Sequence, residues 1–250
     1  MAPPDDGDGD GAWLTRYRLA RRLMADEAED GVRGVAGSLE HLCRGLAKHL
    51  SLRGAAVSLM SEAGSQGVAA ASDHHIKGVD ELQFTTGVGP CHDAFAARRP
   101  VLTADLDSGS GDPWPGYTSA AIDAGVRAVF SFPLHVGAVA FGVLDLYAEQ
   151  PGPLNSKQVA MALTFAQIAT ETLLDGHLTS PGGDLEPILE VAMDSRAEIH
   201  QAQGMLMVSL QVGPTEALAR MRAYAFAHDR PLIELAKEII AGRDHLDDHK

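Results

Sequence analysis

The C-terminal fifth of the chain carries cationic and aromatic side chains whose chemistry suits nucleic acid. Arg222 and Arg230 each offer a planar guanidinium that can bond bidentately to phosphates or to base edges. The rings of Tyr224 and Phe226 can stack on unpaired bases. Solvated surface charge is the alternative for the arginines, and core packing is the alternative for at least one ring. Residue types alone therefore leave nucleic-acid contact and ordinary structural roles open.

The chain has two cysteines, Cys43 and Cys91, so any thiol chemistry must use one or both of them. Cys91 follows a glycine-rich turn and could begin a helix, where a thiolate would be stabilised, but a buried structural cysteine is the alternative. A thiol reductase using Cys91 would need Cys43 as its partner, and Cys43 falls on the apolar stripe of a different helix. The sequence has no nucleophile elbow, phosphate-binding loop, dinucleotide motif or zinc-finger spacing. We therefore expect neither an enzyme nor a bound metal or cofactor.

The charge distribution restricts the possible partners. The 250 residues carry a net charge of −14, which opposes binding to a polyanion. Residues 196–243 include six Lys and Arg side chains and five acidic ones, so the net charge of this segment is close to +1. No apolar run is long enough to span a membrane, and the acidic start does not resemble a secretory signal. These features predict a cytoplasmic protein and allow nucleic-acid binding without demanding it.

Hydrophobic periodicity predicts the elements that must position these residues. An apolar stripe between Val32 and Leu50 indicates a helix, and alternating apolar runs indicate strands. The predicted strands are Ala55–Met60, Val68–Ser72, Val101–Asp105, Ala128–Val136 and Ala138–Tyr147, the last two joined by a hairpin at Gly137. A long helix is predicted from Asn155 to Leu174. The pattern favours an α+β domain, with a central antiparallel sheet flanked by helices.

Ser180–Gly183 (Ser-Pro-Gly-Gly) is the clearest domain boundary, because proline and glycine interrupt helices. Every later segment has helical spacing: a first helix with a weak heptad-like seam, a break at Gly213-Pro214, and a third helix from about Arg230 that ends at Gly242. We therefore predict a disordered acidic tail over 1–12, an α+β domain over 13–179 that includes an N-terminal helix, and an all-α three-helix module over 184–245.

The segment Ser195–Gly242 resembles the ANTAR domain, a three-helix module that binds RNA in transcription-antitermination regulators. The matching features are Arg196, Ile199, Gln201-Ala202, Gly204-Met205-Leu206-Met207, Glu216-Ala217, Met221-Arg222, Ala225, Arg230, Leu232 and Leu235-Ala236. Gln203 departs from the pattern, because the family commonly has lysine there. The resemblance implies that structured RNA, in hairpin leader transcripts, is the partner. The implied RNA-binding residues are Arg196, Gln203, Arg222, Tyr224 and Arg230; for Arg196, a structural ion pair is the alternative.

The preceding region, from about Val32 to Leu174, resembles a GAF domain of the kind fused to ANTAR modules in actinobacterial proteins. The resemblance is carried by Leu82-Gln83, Gly87-Val88-Gly89-Pro90-Cys91, Asp93-Ala94, Pro100-Val101, Asp105-Leu106, Trp114-Pro115, Gly125-Val126-Arg127, Pro133-Leu134 and Gly142–Tyr147. GAF domains sense small ligands or support dimerisation. Cys91, Trp114 and Tyr117 are the candidate ligand-binding residues, although the loop that carries Trp114 and Tyr117 equally suits a lid over the sheet.

Together these features predict an antitermination regulator in which a ligand-sensing or dimerising GAF domain controls RNA binding. A homodimer is expected, because two linked modules raise the effective concentration at paired hairpins. The alternative is a protein-interaction and dimerisation regulator whose ANTAR-like tail no longer binds RNA. The net acidity and Gln203 both favour that alternative.

Overall fold

The computed structural model describes residues 7–28, 34–60, 66–108, 111–137, 139–179, 197–228, 230, 232–243 and 246. The helices are α1 (Gly7–Asp26), α2 (Gly34–Leu50), α3 (His74–Thr86), α4 (Pro90–Ala97), α5 (Tyr117–Asp123), α6 (Ser156–Thr179), α7 (Ala197–Leu210), α8 (Pro214–Ala227) and α9 (Leu232–Ile240). The strands are β1 (Gly54–Met60), β2 (Gln66–Ala71), β3 (Val101–Thr103), β4 (Ala128–Val136) and β5 (Val139–Ala148).

The described strands form one antiparallel sheet in the order β2-β1-β5-β4-β3. The predicted hairpin joins β4 to β5, and Gly137 at its turn has a positive φ of 56°, a conformation that glycine adopts without a steric penalty. β1 then pairs with the other side of β5, with Val57 opposite Leu144. This register places alternate residues of neighbouring strands on the same face of the sheet.

The two faces of the sheet carry different side chains. One face presents apolar residues of β1, β4 and β5, including Val57, Phe132 and Leu144, and packs against α2 and α6, on which α1 lies. The opposite face is covered by α3, α4 and α5 and mixes apolar residues such as Val129 with buried polar ones. The predicted α+β fold, a central antiparallel sheet flanked by helices, is thus confirmed.

The three C-terminal helices form a separate apolar cluster. Ile199 and Leu206 of α7, Met221 of α8, and Leu235 and Ile239 of α9 are buried in it. α8 begins at Pro214 directly after Gly213, a position in which proline's fixed φ suits a helix start. Gly242 follows α9 with a φ of 67°, the left-handed conformation that commonly ends a helix.

Some boundaries differ from the sequence prediction. α1 begins at Gly7, so residues 7–12, assigned to a disordered tail, are helical in the structure. Extending a nucleated helix by a few residues costs little, and the N-terminal helix predicted within the 13–179 domain supplies that nucleus. The first part of the predicted heptad-like seam, before Ala197, lies outside the described residues, as does the boundary segment Ser180–Gly183. Among the described helices, none is long and apolar enough to cross a lipid bilayer.

Candidate nucleic-acid interface and buried polar cluster

Arg222 connects the helical module to the sheet domain. It lies on α8, and its guanidinium carbon is 4.8 Å from the centroid of the Phe84 ring on α3. Phe84 is only 2% exposed, and it belongs to the same apolar cluster as Met221 and Ala225 of α8. A cation over an aromatic face at this distance is a stabilising contact. A sheet-domain side chain therefore completes the core of the helical module.

Two glycines allow this close approach. Gly87 ends α3 in the left-handed conformation, with a φ of 75°, and a Cβ there would lie 2.7 Å from Nη1 of Arg222. Gly116 precedes α5, and a Cβ there would lie 3.2 Å from Cε2 of Phe226 on α8. A Cβ at Gly87 would have to displace the end of the Arg222 side chain, and one at Gly116 would have to shift the Phe226 ring by a few tenths of an ångström. Glycine at these two positions thus leaves room for the α8 side chains as they lie in the structure.

A cleft of about 880 Å³ lies beside this contact, with walls from both domains. The sheet domain contributes Thr85 and Thr86 at the end of α3, and Asp123 at the end of α5. Arg222 and Arg230 line the other wall. The cleft has a size ordinary for a small-molecule site.

Two aromatic residues of the helical module occupy different environments. Tyr224 is half-buried and stacks on His228, with ring centroids 4.0 Å apart and planes at 24°. Phe226 is 75% exposed, so its ring face is open. Of the two, Phe226 is the better placed to stack on a base, although the implied RNA-binding set contains only Tyr224. Periodicity gave no basis for choosing between two rings two residues apart.

The other implied RNA-binding residues make contacts within the module. Nε2 of Gln203 on α7 donates to the carbonyl oxygen of Pro214 at 2.7 Å, which fastens α7 to the start of α8. Nη2 of Arg230 lies 2.6 Å from Oε2 of Glu238 on α9. Arg220 pairs instead with Glu216 on its own helix, at 2.6 Å. Arg196 lies outside the described residues.

Cys91, Trp114 and Tyr117 all lie on the face of the sheet covered by α3, α4 and α5. Cys91 is fully buried beside Val143. The Trp114 indole N–H donates to Oδ2 of Asp93 at 3.0 Å, and its ring meets Tyr117 edge-on with centroids 6.4 Å apart. All three side chains are buried, so in this state they form part of the domain's packed interior.

Beneath these residues, polar side chains from the strands and α3 form a buried cluster. Asp80 accepts hydrogen bonds from the hydroxyls of Tyr147 (2.5 Å) and Ser58. Asp145 accepts from Ser131 and, at 3.4 Å, from Nε2 of Gln83. All six of these residues are buried. The hydroxyl of the adjacent Tyr117 has no hydrogen-bond partner in the described part of the chain.

The cluster brings two carboxyl groups together inside the protein. Burial raises the pKa of Asp145 well above its usual range, and the nearby charge of Asp80 raises it further. Two adjacent buried carboxylates cannot both ionise cheaply, so Asp145 keeps a proton under conditions in which a surface aspartate would lose it. Polar residues at the inward positions Ser58, Ser131 and Asp145 of otherwise apolar strands were the sequence signal for this cluster.

The two cysteines lie on opposite faces of the sheet. Cys43 of α2 packs into the apolar cluster with α1 and α6, and Cys91 lies beneath α4 on the other face. A disulfide requires Cα atoms within about 7 Å, which an intervening sheet prevents. Burial also raises the pKa of the Cys43 thiol, which disfavours its reactive thiolate. Cys43 is therefore not placed to act as a partner thiol for Cys91.

Family models of known domains match both regions of the chain. A family model described as a GAF domain matches residues 34–173, and one described as an ANTAR domain matches residues 188–247. Because the first match covers more than half of the chain, the protein belongs to the GAF domain family, with an ANTAR domain following the GAF domain. Both are regulatory domains: an ANTAR domain implies RNA-binding antitermination regulation, and a GAF domain implies a sensory role.

A solved structure supports the fold of the first region. The chain is similar to the GAF domain of a phosphoenolpyruvate-protein phosphotransferase from Coxiella burnetii, with 13% identity, a TM-score of 0.53, and coverage of 68% of this chain and 98% of the other. The corresponding domain from Acinetobacter has 11% identity, a TM-score of 0.49, and coverage of 67% and 96%. At these identities the likeness concerns the fold alone. A search among curated proteins gives no match.

Proposed function

We propose that this protein is a transcription-antitermination regulator that binds hairpin RNA through its ANTAR domain and receives its signal through its GAF domain. The match of residues 188–247 to the ANTAR domain carries the proposal. The surface chemistry is compatible with it, since α8 and the residues just after it present Arg222, Arg230 and the open ring of Phe226 on neighbouring positions. No catalytic step is proposed.

In this proposal, Arg222 and Arg230 contact phosphates or base edges, and Phe226 joins Tyr224 as an aromatic residue able to stack on unpaired bases. Two further candidates remain: Gln203 of α7, and Arg196, which lies outside the described residues. Gln203 is the weakest of them, because its amide already holds Pro214 and an amide carries no charge to attract phosphate.

Arg222 and Arg220 provide a matched test on one helix. The full chain would be titrated against a labelled leader RNA with two hairpins, at several salt concentrations. Arg222→Ala should weaken binding and lower the slope of log affinity against log salt by about one, as expected for the loss of one phosphate contact. Arg220→Ala removes the same charge from a different side of α8, where Glu216 pairs with it, and should leave the slope unchanged. Absence of RNA binding at low salt, or identical effects of the two variants, would refute the proposal.

The input is proposed to be a small molecule bound by the GAF domain near Cys91, Trp114 and Tyr117, on the same side of the sheet as the buried polar cluster. These residues are packed in the structure, so ligand entry would require α4, α5 or the loop before α5 to move. Isothermal titration with a metabolite library, followed by Tyr117→Phe, tests this input. Tyr117→Phe removes a hydroxyl that has no hydrogen-bond partner among the described residues, so it should change ligand affinity with little effect on folding.

A second candidate is a dimerisation regulator that does not bind RNA, in which the ANTAR domain serves as a protein-interaction module. Met205 and Val208 of α7 are 41% and 80% exposed, which leaves an apolar strip on the surface of that helix. The same strip would serve the homodimer expected of an RNA-binding regulator. Val208→Asp should convert a dimer to monomers in sedimentation experiments. A stable dimer with no RNA affinity at low salt would favour this second candidate.

A further inference from the structure

We infer that the GAF surface formed by Phe84, Gly87 and Gly116 is an intramolecular docking site for α8, and that RNA competes with this surface for Arg222. The inference rests on the proposed function and adds its regulation: the described arrangement is the RNA-blocked state. The GAF domain would then control RNA binding by holding or releasing one helix.

The first observation is how Arg222 is held. Its guanidinium lies over the Phe84 ring on one side and against the end of α3, at Gly87, on another. Phe84 is buried within the apolar cluster of the helical module, so its contact with Arg222 belongs to the core of that module and is not a surface contact. To place Arg222 in the groove of an RNA hairpin, α8 must separate from α3.

The second observation is the shape and charge of the space beside this contact. The cleft of about 880 Å³ is large enough for a small molecule, but a folded hairpin cannot enter it. Asp123 lines the GAF wall opposite the arginines, and its carboxylate would repel a phosphate. RNA therefore cannot reach Arg222 from the cleft side while the domains stay docked.

The third observation connects docking to the interior of the GAF domain. Phe84 follows Gln83 on α3, and the Gln83 amide reaches Asp145, the Tyr147 hydroxyl and the backbone N–H of Cys91. Asp80, one turn earlier, accepts from Tyr147. Any ligand that rearranges this cluster also moves the last turn of α3, which bears Phe84. α3 is thus the element shared by the buried cluster and the docking site.

The left-handed glycines supply a matched experiment. At Gly87, an Asn side chain would meet the end of Arg222 and push it away, while asparagine tolerates the positive φ of 75° better than most residues. At Gly125, φ is 84° and no atom of the described residues lies within 4 Å of the position a Cβ would take, so Gly125→Asn imposes similar backbone strain without touching α8. Gly116→Asn is a second substitution of the same kind, and its side chain would press against Phe226 of α8.

The affinity of the full chain for the two-hairpin leader RNA is measured for the parent and each variant, without added ligand. Gly87→Asn and Gly116→Asn should bind RNA about 5- to 100-fold more tightly than the parent, within the range of typical allosteric coupling. Gly125→Asn should bind like the parent. Adding Arg222→Ala to Gly87→Asn should abolish the gain, since the released arginine is the RNA contact.

The possible outcomes separate the two proposals. Suppose that RNA binding by the parent depends on Arg222, but Gly87→Asn and Gly116→Asn both bind RNA no more tightly than the parent. That result would overturn the docking inference and leave the proposed function intact. A gain in Gly125→Asn as large as that in Gly87→Asn would also overturn the inference, because backbone strain would then explain the effect. Absence of RNA binding in every variant would overturn both.

Discussion

The two faces of the GAF sheet bury side chains of different polarity. The face under α1, α2 and α6 is filled with apolar side chains such as Val57, Phe132 and Leu144. The face under α3, α4 and α5 buries two carboxyl groups, two serines, a glutamine and a tyrosine hydroxyl. Apolar packing of the first kind stabilises a fold, whereas buried polar networks are sensitive to protonation and to ligands. The ANTAR domain docks on α3, an element of the second face.

The apolar face therefore contributes mainly to stability, whereas the polar face holds groups whose protonation can change. Helix α3 contributes Asp80 and Gln83 to the buried cluster and Phe84 to the contact with Arg222. The face that is costly to assemble is therefore the one connected to the candidate RNA-binding helix. Substitutions on the apolar face should change mainly the free energy of unfolding, and those on the polar face should also change pH dependence and RNA binding.

The largest effect on stability is expected on the apolar face. Phe132→Ala empties a fully buried site in that core and should lower the free energy of unfolding by about 3–5 kcal/mol. Ser131→Ala, at the adjacent position on the polar face, removes one donor to Asp145 and should cost only about 1–3 kcal/mol. Urea denaturation of both variants measures the difference. A larger loss in Ser131→Ala would contradict the division of roles between the faces.

The next effect is on pH dependence. Because the pKa of Asp145 is raised in the folded protein, the folded state keeps a proton that the unfolded chain releases above about pH 4. Stability should therefore fall as pH rises from this value to the raised pKa, by at most about 1.4 kcal/mol per pH unit. Asp145→Asn should remove this contribution, so the stability difference between variant and parent should shift in favour of the variant from pH 5 to pH 8.

Denaturation curves of the parent and Asp145→Asn at each pH give that difference directly. The pKa of His92 is lowered, chiefly by burial, and this opposes the Asp145 effect below about pH 6.5 in the parent. His92 is present in both proteins, so its contribution largely cancels when they are compared. A stability difference that stays constant with pH would show that Asp145 carries no raised pKa.

A smaller effect is expected at the start of α3. The Asp73 carboxylate caps this helix by accepting from the Ile76 backbone N–H at 2.8 Å, and it pairs with Arg53 at 2.8 Å. Asp73→Ala should cost about 1 kcal/mol of unfolding free energy, and Asp73→Asn, which can still cap, should cost less. Because α3 also bears Phe84, we expect Asp73→Ala to increase RNA affinity slightly. RNA titration alongside thermal denaturation checks both effects.

The smallest effect is expected at Gln203, in the ANTAR domain. Gln203→Lys introduces the lysine common in the family and retains a donor for the Pro214 carbonyl, so stability should change by less than about 0.5 kcal/mol. If the position faces RNA, the salt slope of binding should rise by about one. Gln201→Lys is the control, since it adds the same charge at an exposed position elsewhere on α7. Equal slopes for the two lysine variants would remove Gln203 from the candidate interface.

Much of the fold was predictable because its signals are local. Alternating apolar residues indicated the strands, Gly137 the hairpin, and Gly213-Pro214 the break between α7 and α8, since each depends on neighbours in the chain. The resemblance to two families supplied the architecture. Arg222 and Arg230 were identifiable as candidate RNA contacts from side-chain chemistry combined with that resemblance.

The arrangement of the two domains was not predictable from local signals. The Arg222–Phe84 contact joins residues 138 positions apart in sequence, and both were consistent with other roles. Whether Tyr224 or Phe226 is exposed depends on the position of His228 and on the sheet domain, neither of which periodicity reveals. The pairing of Asp80 with Asp145 likewise depends on α3 crossing the sheet at one particular place.

Hydrogen exchange of the full chain, with and without the two-hairpin RNA, tests the central claim most directly. If RNA displaces α8 from the GAF surface, amides in the last turn of α3, from Gln83 to Gly87, should exchange faster when RNA is bound, although RNA does not touch them. Amides of α2 on the apolar face should not change and serve as the internal reference. Unchanged or slower exchange at Gln83–Gly87 under RNA saturation would contradict the account.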